Sequence, residues 1–278
     1  MNHKYSKKAV IVFFILVFIA SICVETGIIM NGSSWLYLLL MWIPAISAII
    51  AAFVAMIDKK ENFSFKRFFD YLSIRGCKLK YILLAIPFPL VYLLIPYMIY
   101  WILFPNNFAY HGVSLLLILQ DILPSMILGI FFNLISAIGE EIGWRGFMFP
   151  SFLERMPLKR VLLTTSLIWV LWHMPLLIVD GYMDGAPLWY RVPAFLFCIL
   201  PVGIIVGLLT YQTKSIWPAT FLHAAHNNFD QSIFGVITRG DNRMYYVSET
   251  GILTIICALI IAILLYRLMG KRKESNPA

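Results

Sequence analysis

The chain has 278 residues, of which 61% are hydrophobic and only 13% are charged, and its mean hydropathy is +0.83. A water-soluble domain of this size could not carry so apolar a surface, so the composition excludes a soluble enzyme and predicts a multi-pass membrane protein. The net charge of +8 does not indicate a nucleic-acid partner, because the basic residues lie in short segments between apolar runs, where they set membrane topology.

Long apolar runs predict an all-α, polytopic membrane protein with about eight transmembrane helices. The predicted spans are 9–30, 35–57, 81–104, 113–149, 161–179, 192–209, 216–237 and 251–269. The third run contains Pro87, Pro89 and Pro96, which predict kinks. The fourth run is longer than one span needs, and Asp121 with Pro124 predicts a break into an interfacial piece and a true span.

The basic residues divide unequally between the two sides of these spans. Of the 22 Lys and Arg, 18 fall on the side of both termini, one lies inside the fourth span, and three lie opposite, namely Arg191, Arg239 and Arg243. The asymmetry predicts a cell-membrane protein with both termini in the cytoplasm. Segment 58–80 interleaves basic and aromatic residues, which favours an amphipathic segment on the membrane surface over a nucleic-acid patch. His111, in the uncharged loop 105–112, is interpreted as a solvated residue.

The sequence Gly-Glu-Glu-Ile-Gly-Trp-Arg interrupts the apolar fourth span with Glu140, Glu141 and Arg145. Ionisable groups at membrane depth are costly and usually functional. Glu141 and Arg145 are four residues apart and can pair, whereas Glu140 is rotated by roughly 100° and needs a partner on another helix. Gly139 and Gly143 have the spacing that lets a second helix approach closely. A purely structural ion pair is the alternative, but it leaves Glu140 without a role.

Four polar residues on three predicted spans fall at one depth, roughly 10–18 Å from the cytoplasmic ends of their helices. They are Glu140, His173, His223 and Asn227. His223 and Asn227 share one helix face, as do Trp169 and His173. We therefore expect one water-accessible cavity within the bilayer, near its cytoplasmic side.

A carboxylate, two imidazoles and an amide in such a cavity can activate water and stabilise an oxyanion, which is the equipment for hydrolysing an amide bond. Glu140, His173 and His223 could instead bind zinc, although the HExxH pattern is absent. The residues favour the metal-free reaction, so no cofactor is expected to be required. A proton-coupled transporter is a further alternative, against which the polar residues show no inverted repeat.

Three segments resemble the ordered EExxxR, FxxxH and HxxxN motifs of the CPBP family: Glu140-Glu141-Ile-Gly-Trp-Arg145, Trp169-Val-Leu-Trp-His173 and His223-Ala-Ala-His-Asn227. This family, also called ABI, includes type II CAAX prenyl endopeptidases and relatives linked to bacteriocin self-immunity. The resemblance covers about residues 136–228 and is in keeping with an eight-helix fold. We expect one integral-membrane domain over residues 1–278, with a motif core at about 113–237.

The resemblance implies a role for each motif residue. Glu140 would activate the hydrolytic water with His173, His223 and Asn227 would hold the oxyanion, and Glu141 with Arg145 would orient the site. The chain departs from the family at Trp169, where Phe is usual. We expect the substrate pocket to include Trp169, Trp144 and His226. The expected substrate is a membrane-associated or lipidated peptide or protein, and the alternative within the family is a non-catalytic immunity or scaffold protein.

Overall fold

The structure is a computed structural model that describes residues 3–33, 35–110, 112–183 and 185–270. His111 and the basic tail at 271–273 lie outside the described residues. Within the described ranges the chain forms no β-strand, and its only extended pairing is an isolated bridge between Phe108 and Thr238. The predicted all-α class is confirmed.

The helices of the described residues follow one another with short connections. The α-helices are α1 Lys7–Asn31, α2 Trp35–Asp58, α3 Phe65–Tyr71, α4 Leu79–Ala85, α5 Pro87–Leu103, α6 Leu115–Glu141, α7 Phe149–Leu153, α8 Leu158–Pro175, α9 Leu188–Thr213, α10 Trp217–Asn227, α11 Arg243–Tyr246 and α12 Ile252–Leu265. Four of them continue as π-helices, at Ile142–Met148, Leu176–Asp180, Asn228–Phe234 and Tyr266–Gly270. Short 3₁₀ turns lie at Pro105–Asn107 and Ser248–Thr250.

Local signals fix the two ends of the first helix. The hydroxyl of Ser6 accepts a hydrogen bond from the backbone N–H of Ala9 at 3.1 Å and caps the start of α1. Gly32 ends the helix with a left-handed backbone (φ 62°), and its N–H donates to the Ile28 carbonyl at 2.8 Å. The helix between them is apolar enough to span a bilayer.

Seven helical stretches of the described chain are long and apolar enough to cross a membrane. They are Lys7–Asn31, Trp35–Asp58, Leu79–Leu103, Leu115–Leu153, Leu158–Val179, Leu188–Thr213 and Ile252–Met269. Each corresponds to one of the predicted spans, and the prediction of a multi-pass membrane protein is confirmed.

The eighth predicted span, at 216–237, is formed by α10 and its π-helical continuation, whose His, Asn and Asp residues make it less apolar than the other seven. It nevertheless lies beside α4 and α5 from one end to the other. At one end the Ile216 N–H donates to the Ser73 carbonyl at 3.2 Å, and just beyond the other end Arg239 N–H donates to the Asn107 carbonyl at 2.7 Å. Because Leu79–Leu103 is itself long enough to span, this polar segment traverses the same thickness.

The predicted break in the fourth span is wrong. Helix α6 continues through Asp121 and Pro124 without interruption, because a proline removes one backbone hydrogen bond without necessarily ending a helix. The Asp121 carboxylate accepts a hydrogen bond from Tyr110 at 3.1 Å. In the third span, where three prolines predict kinks, α4 ends at Ala85 and α5 begins at Pro87, so the helix is interrupted just before the first of them.

Gly139 and Gly143 lie where α2 crosses the end of α6. A Cβ atom at Gly139 would come within 2.6 Å of the Met41 carbonyl oxygen, and one at Gly143 within 2.4 Å of the Pro44 Cβ. Real Cβ atoms do not approach other atoms so closely, so glycine alone permits this packing. The predicted close approach of a second helix is confirmed, and α2 supports the segment that carries the paired carboxylates.

The loops rich in basic residues meet on one face of the molecule. Tyr5 donates its hydroxyl to the Tyr71 carbonyl at 3.0 Å and its backbone N–H to Glu154 at 3.2 Å. Ser215, after α9, donates to the Arg75 carbonyl at 2.6 Å. The N-terminal segment and the loops after α2, α7 and α9 therefore share one side of the bundle, as the charge asymmetry predicts.

We expect this face to be cytoplasmic, because Lys and Arg concentrate on it. In a chain whose four cysteines are replaced by serine, Lys66→Cys should react with a membrane-impermeant thiol reagent only after the cells are permeabilised. Arg239→Cys, exposed on the opposite face, should react with intact cells. The reverse pattern would contradict the orientation.

Candidate active site

One cavity of about 440 Å³ opens between α2, α6, α8, α9 and α10. The predicted site residues that line it are Glu140, Trp169, His173, His223, His226 and Asn227. The four polar residues that the sequence places at one depth therefore share one cavity, as predicted.

Glu141 joins two elements of this cavity wall. Its Oε1 accepts a hydrogen bond from Arg145 Nη1 at 2.9 Å and lies 2.9 Å from Nδ1 of His223. The predicted pair four residues apart is confirmed, and the same oxygen also holds an imidazole on α10. A carboxylate bonded to a guanidinium is an acceptor, so Nδ1 of His223 carries a proton. Nε2 of His223 can consequently donate a hydrogen bond only when the ring holds both protons.

Glu140 is buried, and its two oxygens have different neighbours. Oε2 accepts a hydrogen bond from Nε1 of Trp169 at 2.7 Å, and Oε1 lies 3.9 Å from Nε2 of His223. The prediction that Glu140 finds a partner on another helix is confirmed, since Trp169 belongs to α8. With Oε2 held by the indole, Oε1 is the oxygen placed to take a proton from water.

His173 is oriented by its own helix. Its Nδ1 lies 2.8 Å from the Trp169 carbonyl oxygen. Because a carbonyl can only accept, Nδ1 is the protonated nitrogen, and Nε2 of the neutral ring keeps its lone pair. His173 therefore presents the cavity with a nitrogen that can orient water or accept a proton.

Three π-helices begin beside the motif residues. They follow Glu141 directly, start three residues after His173, and follow Asn227 directly. A π-helical turn is uncommon and is frequently found at functional sites, and its wider turn changes the direction of the side chains. Three of the four π-helices of the described residues thus lie at the motif segments, whereas the fourth, Tyr266–Gly270, lines no part of the cavity.

Two comparisons with known proteins show what this chain is similar to. Residues 122–229 match the family model described as type II CAAX prenyl endopeptidase Rce1-like. CAAX prenyl protease 2 of Methanococcus maripaludis is 29% identical over 283 aligned positions, which cover 94% of each chain. The predicted resemblance to type II CAAX prenyl endopeptidases is confirmed. The matched residues include all three motifs, and both comparisons support a membrane protease with a membrane-associated substrate.

Trp169 stands where the family motif usually has Phe, and this difference changes the hydrogen bonding of Glu140. A phenyl ring has no donor for Glu140, whereas the indole N–H holds one of its oxygens. The guanidinium carbon of Arg145 lies 4.2 Å from the Trp169 ring centroid, a cation–π contact. The rings of His173 and His223 meet it edge-on at 5.6 and 5.3 Å. Trp169 thus contacts every charged or imidazole group proposed for the reaction except Glu141.

Trp169→Phe is expected to lower kcat about tenfold to a hundredfold with little change in KM, because a hydrogen bond to a charged group contributes ~1.5–3 kcal/mol. Trp172→Phe is the matched control. The Trp172 indole donates to Ser21 at 2.7 Å and does not line the cavity, so this variant should retain near-normal kcat. Steady-state kinetics on both purified variants checks the prediction, and equal rates for the two would contradict it.

The structure corrects the assignment of Trp144 to the substrate pocket. Trp144 is fully buried outside the cavity, where its ring meets Phe13 at 6.0 Å and Trp172 at 5.7 Å. On a regular α-helix it would follow Glu140 by one turn on the same face. The π-helix that begins at Ile142 turns it instead towards α1 and α8.

Sequence reasoning missed a network of hydrogen-bonded, buried polar side chains beside the cavity. His226 Nε2 lies 2.9 Å from Glu249 Oε1, and its Nδ1 lies 2.9 Å from the Tyr92 hydroxyl. Tyr182 donates to the other Glu249 oxygen at 2.8 Å, and its ring stacks on His173 at 6.5 Å between centroids. The signal that the sequence offered for this network is Glu249, an acidic residue two positions before the last apolar run. This hydrogen-bond network fixes His226 and the Tyr182 ring in the cavity wall.

The donor groups do not form a ready metal site. Among the described residues, no three His, Cys, Asp or Glu side chains are grouped as a metal ion needs. Nδ1 of His223 and one oxygen each of Glu140 and Glu141 already take part in hydrogen bonds within the protein. The zinc alternative therefore has to recruit Glu140 Oε1, His173 and His223 by rearrangement.

Proposed function

We propose that this chain is an intramembrane endopeptidase that hydrolyses a peptide bond near the C-terminus of a prenylated, membrane-associated protein. The observation that carries the proposal is the environment of Glu140. Its carboxylate is buried, one oxygen is fixed by Trp169, and the other faces the cavity shared with His173, His223 and Asn227. The name of the relative, a CAAX prenyl protease, supports a prenylated CAAX end as the substrate.

In the proposed reaction, Glu140 and the unprotonated nitrogen of His173 hold a water molecule against the scissile carbonyl. Glu140 takes one water proton while the water oxygen forms a bond to the carbonyl carbon. Asn227 and doubly protonated His223 donate hydrogen bonds to the oxyanion that develops. The C–N bond then breaks, and the proton held by Glu140 passes to the leaving amine.

Glu141 and Arg145 act through His223 in this scheme. Arg145 balances the charge of Glu141, and Glu141 fixes the orientation of the His223 ring through Nδ1. No metal takes part in the proposed reaction. The arrangement of the hydrogen bonds supports this choice, because each one orients a group that the metal-free mechanism uses.

The test uses two versions of one fluorescence-quenched peptide with a CAAX end, farnesylated and unmodified, and the purified full chain in detergent. We expect cleavage of the farnesylated peptide, little cleavage of the unmodified peptide, and none of either by Glu140→Gln. Equal cleavage of both peptides would overturn the prenyl requirement while leaving an endopeptidase. If wild type and Glu140→Gln both fail to cleave and the folded protein still binds the farnesylated peptide, the chain is a binding protein.

A further inference from the structure

A second cavity, of about 340 Å³, lies on the face where the basic loops meet. Its walls come from the N-terminal segment, the loop before α4, α7 and the end of α9. It shares no lining residue with the catalytic cavity. Because its walls lie at the ends of membrane-spanning helices, the cavity lies at the level of the lipid headgroups.

Three cationic side chains line this cavity, those of Lys4, Arg75 and Lys214. One acidic residue, Glu154, lines it as well, but its carboxylate already has partners. It accepts hydrogen bonds from the backbone N–H groups of Lys4 and Tyr5 at 3.1 and 3.2 Å, and Arg155 lies 3.6 Å away. The cationic side chains that line the cavity thus outnumber the acidic one by three to one.

The cations do have acidic neighbours, and Asp70, Glu154 and Glu61 all act on Lys4, but burial and Arg75 outweigh them there. Lys4 Nζ donates to the Asp70 carbonyl at 2.8 Å and lies 4.4 Å from the centre of the Tyr71 ring. Arg75 lies 3.5 Å from the Asp70 carboxylate in a pair that is substantially exposed and therefore weak. Burial, and next the neighbouring Arg75 guanidinium, lower the pKa of the Lys4 ammonium. An anion in the cavity would relieve this repulsion.

Lys214 occupies a backbone position that side chains usually avoid. It caps the end of α9 with φ 54°, and its N–H donates to the Thr210 carbonyl at 2.7 Å. Glycine or asparagine is usual at such a cap, because a left-handed backbone strains other residues. Lys214 has this strained backbone conformation, and its side chain lines the cavity.

The rest of the lining is largely apolar and comes from Phe149, Pro150, Leu153 and Tyr211. A cavity with cations and an apolar wall at the membrane interface matches a molecule with an anionic head and an acyl body. We propose that this cavity binds an anionic phospholipid, whose headgroup phosphate contacts Lys4, Arg75 and Lys214. The lipid would tie the N-terminal segment to the ends of α7 and α9.

The test measures the thermal unfolding midpoint of the purified full chain in a neutral detergent. The probes are dioctanoyl phosphatidylglycerol, dioctanoyl phosphatidylcholine and inorganic phosphate. At saturating phosphatidylglycerol we expect a rise of about 5 °C, and a smaller rise with phosphatidylcholine, because binding to the folded state alone stabilises it. Inorganic phosphate at the same concentration should give no rise, because it lacks the acyl body.

The double variant Arg75→Gln with Lys214→Gln should lose the difference between the two lipids. Both side chains are exposed, so its midpoint without lipid should stay close to that of the wild type. Lys66→Gln with Arg160→Gln removes the same charge from exposed positions outside the cavity and should keep the difference.

Three results would overturn the proposal. Equal rises with the two lipids would show that the cavity does not select negative charge. A full rise with inorganic phosphate would show a free-anion site instead of a lipid site. An undiminished lipid difference in the Arg75 and Lys214 variant would place the effect elsewhere on the protein.

Discussion

Glu140→Gln is expected to abolish peptide cleavage while leaving the amount of folded protein in the membrane nearly unchanged. Glutamine has almost the same shape, and its side-chain carbonyl can still accept the Trp169 N–H that now bonds to Glu140 at 2.7 Å. It cannot take a proton from water, and loss of a general base typically costs ~10²–10⁴ in rate. The loss should therefore appear in kcat.

Arg145→Ala is the matched comparison, because it removes a positive charge from the same cluster, whereas Glu140→Gln removes a negative one. Glu141 would keep only the hydrogen bond from His223, and its carboxylate would stay fully buried beside Glu140 without the guanidinium. Removing one partner of a buried ion pair costs about 3–5 kcal/mol, so this variant should be much less abundant in the membrane.

Quantitative blotting of membrane fractions, together with cleavage rates per folded molecule, separates the two effects. Arg145→Ala should lower abundance, and Glu140→Gln should lower only the rate. If both variants lose folded protein to the same extent, Glu140 is a structural residue and the division of roles between the adjacent carboxylates is wrong.

The sequence was sufficient for features that depend on helical geometry alone. Apolar runs located the seven strongly hydrophobic spans, and the spacing of four residues gave the pair between Glu141 and Arg145. Counting the helical rise placed His173, His223 and Asn227 level with Glu140, and the structure brings them to one cavity. Such inferences succeed because rise and periodicity vary little from one helix to another.

Features that depend on contacts between distant segments were beyond the sequence. The bond from Trp169 to Glu140 requires α8 to pack against α6 at one rotation, which no spacing reveals. The π-helix after Glu141 turned Trp144 away from the cavity, and it forms where packing favours a wider turn. Glu249 reaches the cavity wall from more than 20 residues beyond His226, through a loop whose path is set by tertiary contacts.

Asn227→Ala is expected to slow turnover by ~10²–10³ while barely changing substrate affinity, because in the proposed mechanism it removes one donor to the oxyanion. Asn227 lines the cavity one turn along α10 from His223, and its amide is a good hydrogen-bond donor but a poor ligand for a transition metal. Asn133→Ala is the matched control. That amide lines the same cavity from α6 but has no proposed contact with the oxyanion, so its removal should leave kcat within a few-fold of wild type.

Exhaustive chelation of the purified protein completes this test. In the metal-free mechanism Glu140 and His173 activate water directly, so activity should survive a chelator strong enough to remove zinc, and added zinc should not raise it. The zinc mechanism predicts the opposite, because Glu140, His173 and His223 would then be ligands and Asn227 would be dispensable. Loss of cleavage on chelation, recovery with zinc and normal turnover by Asn227→Ala would together show that the oxyanion assignment is wrong.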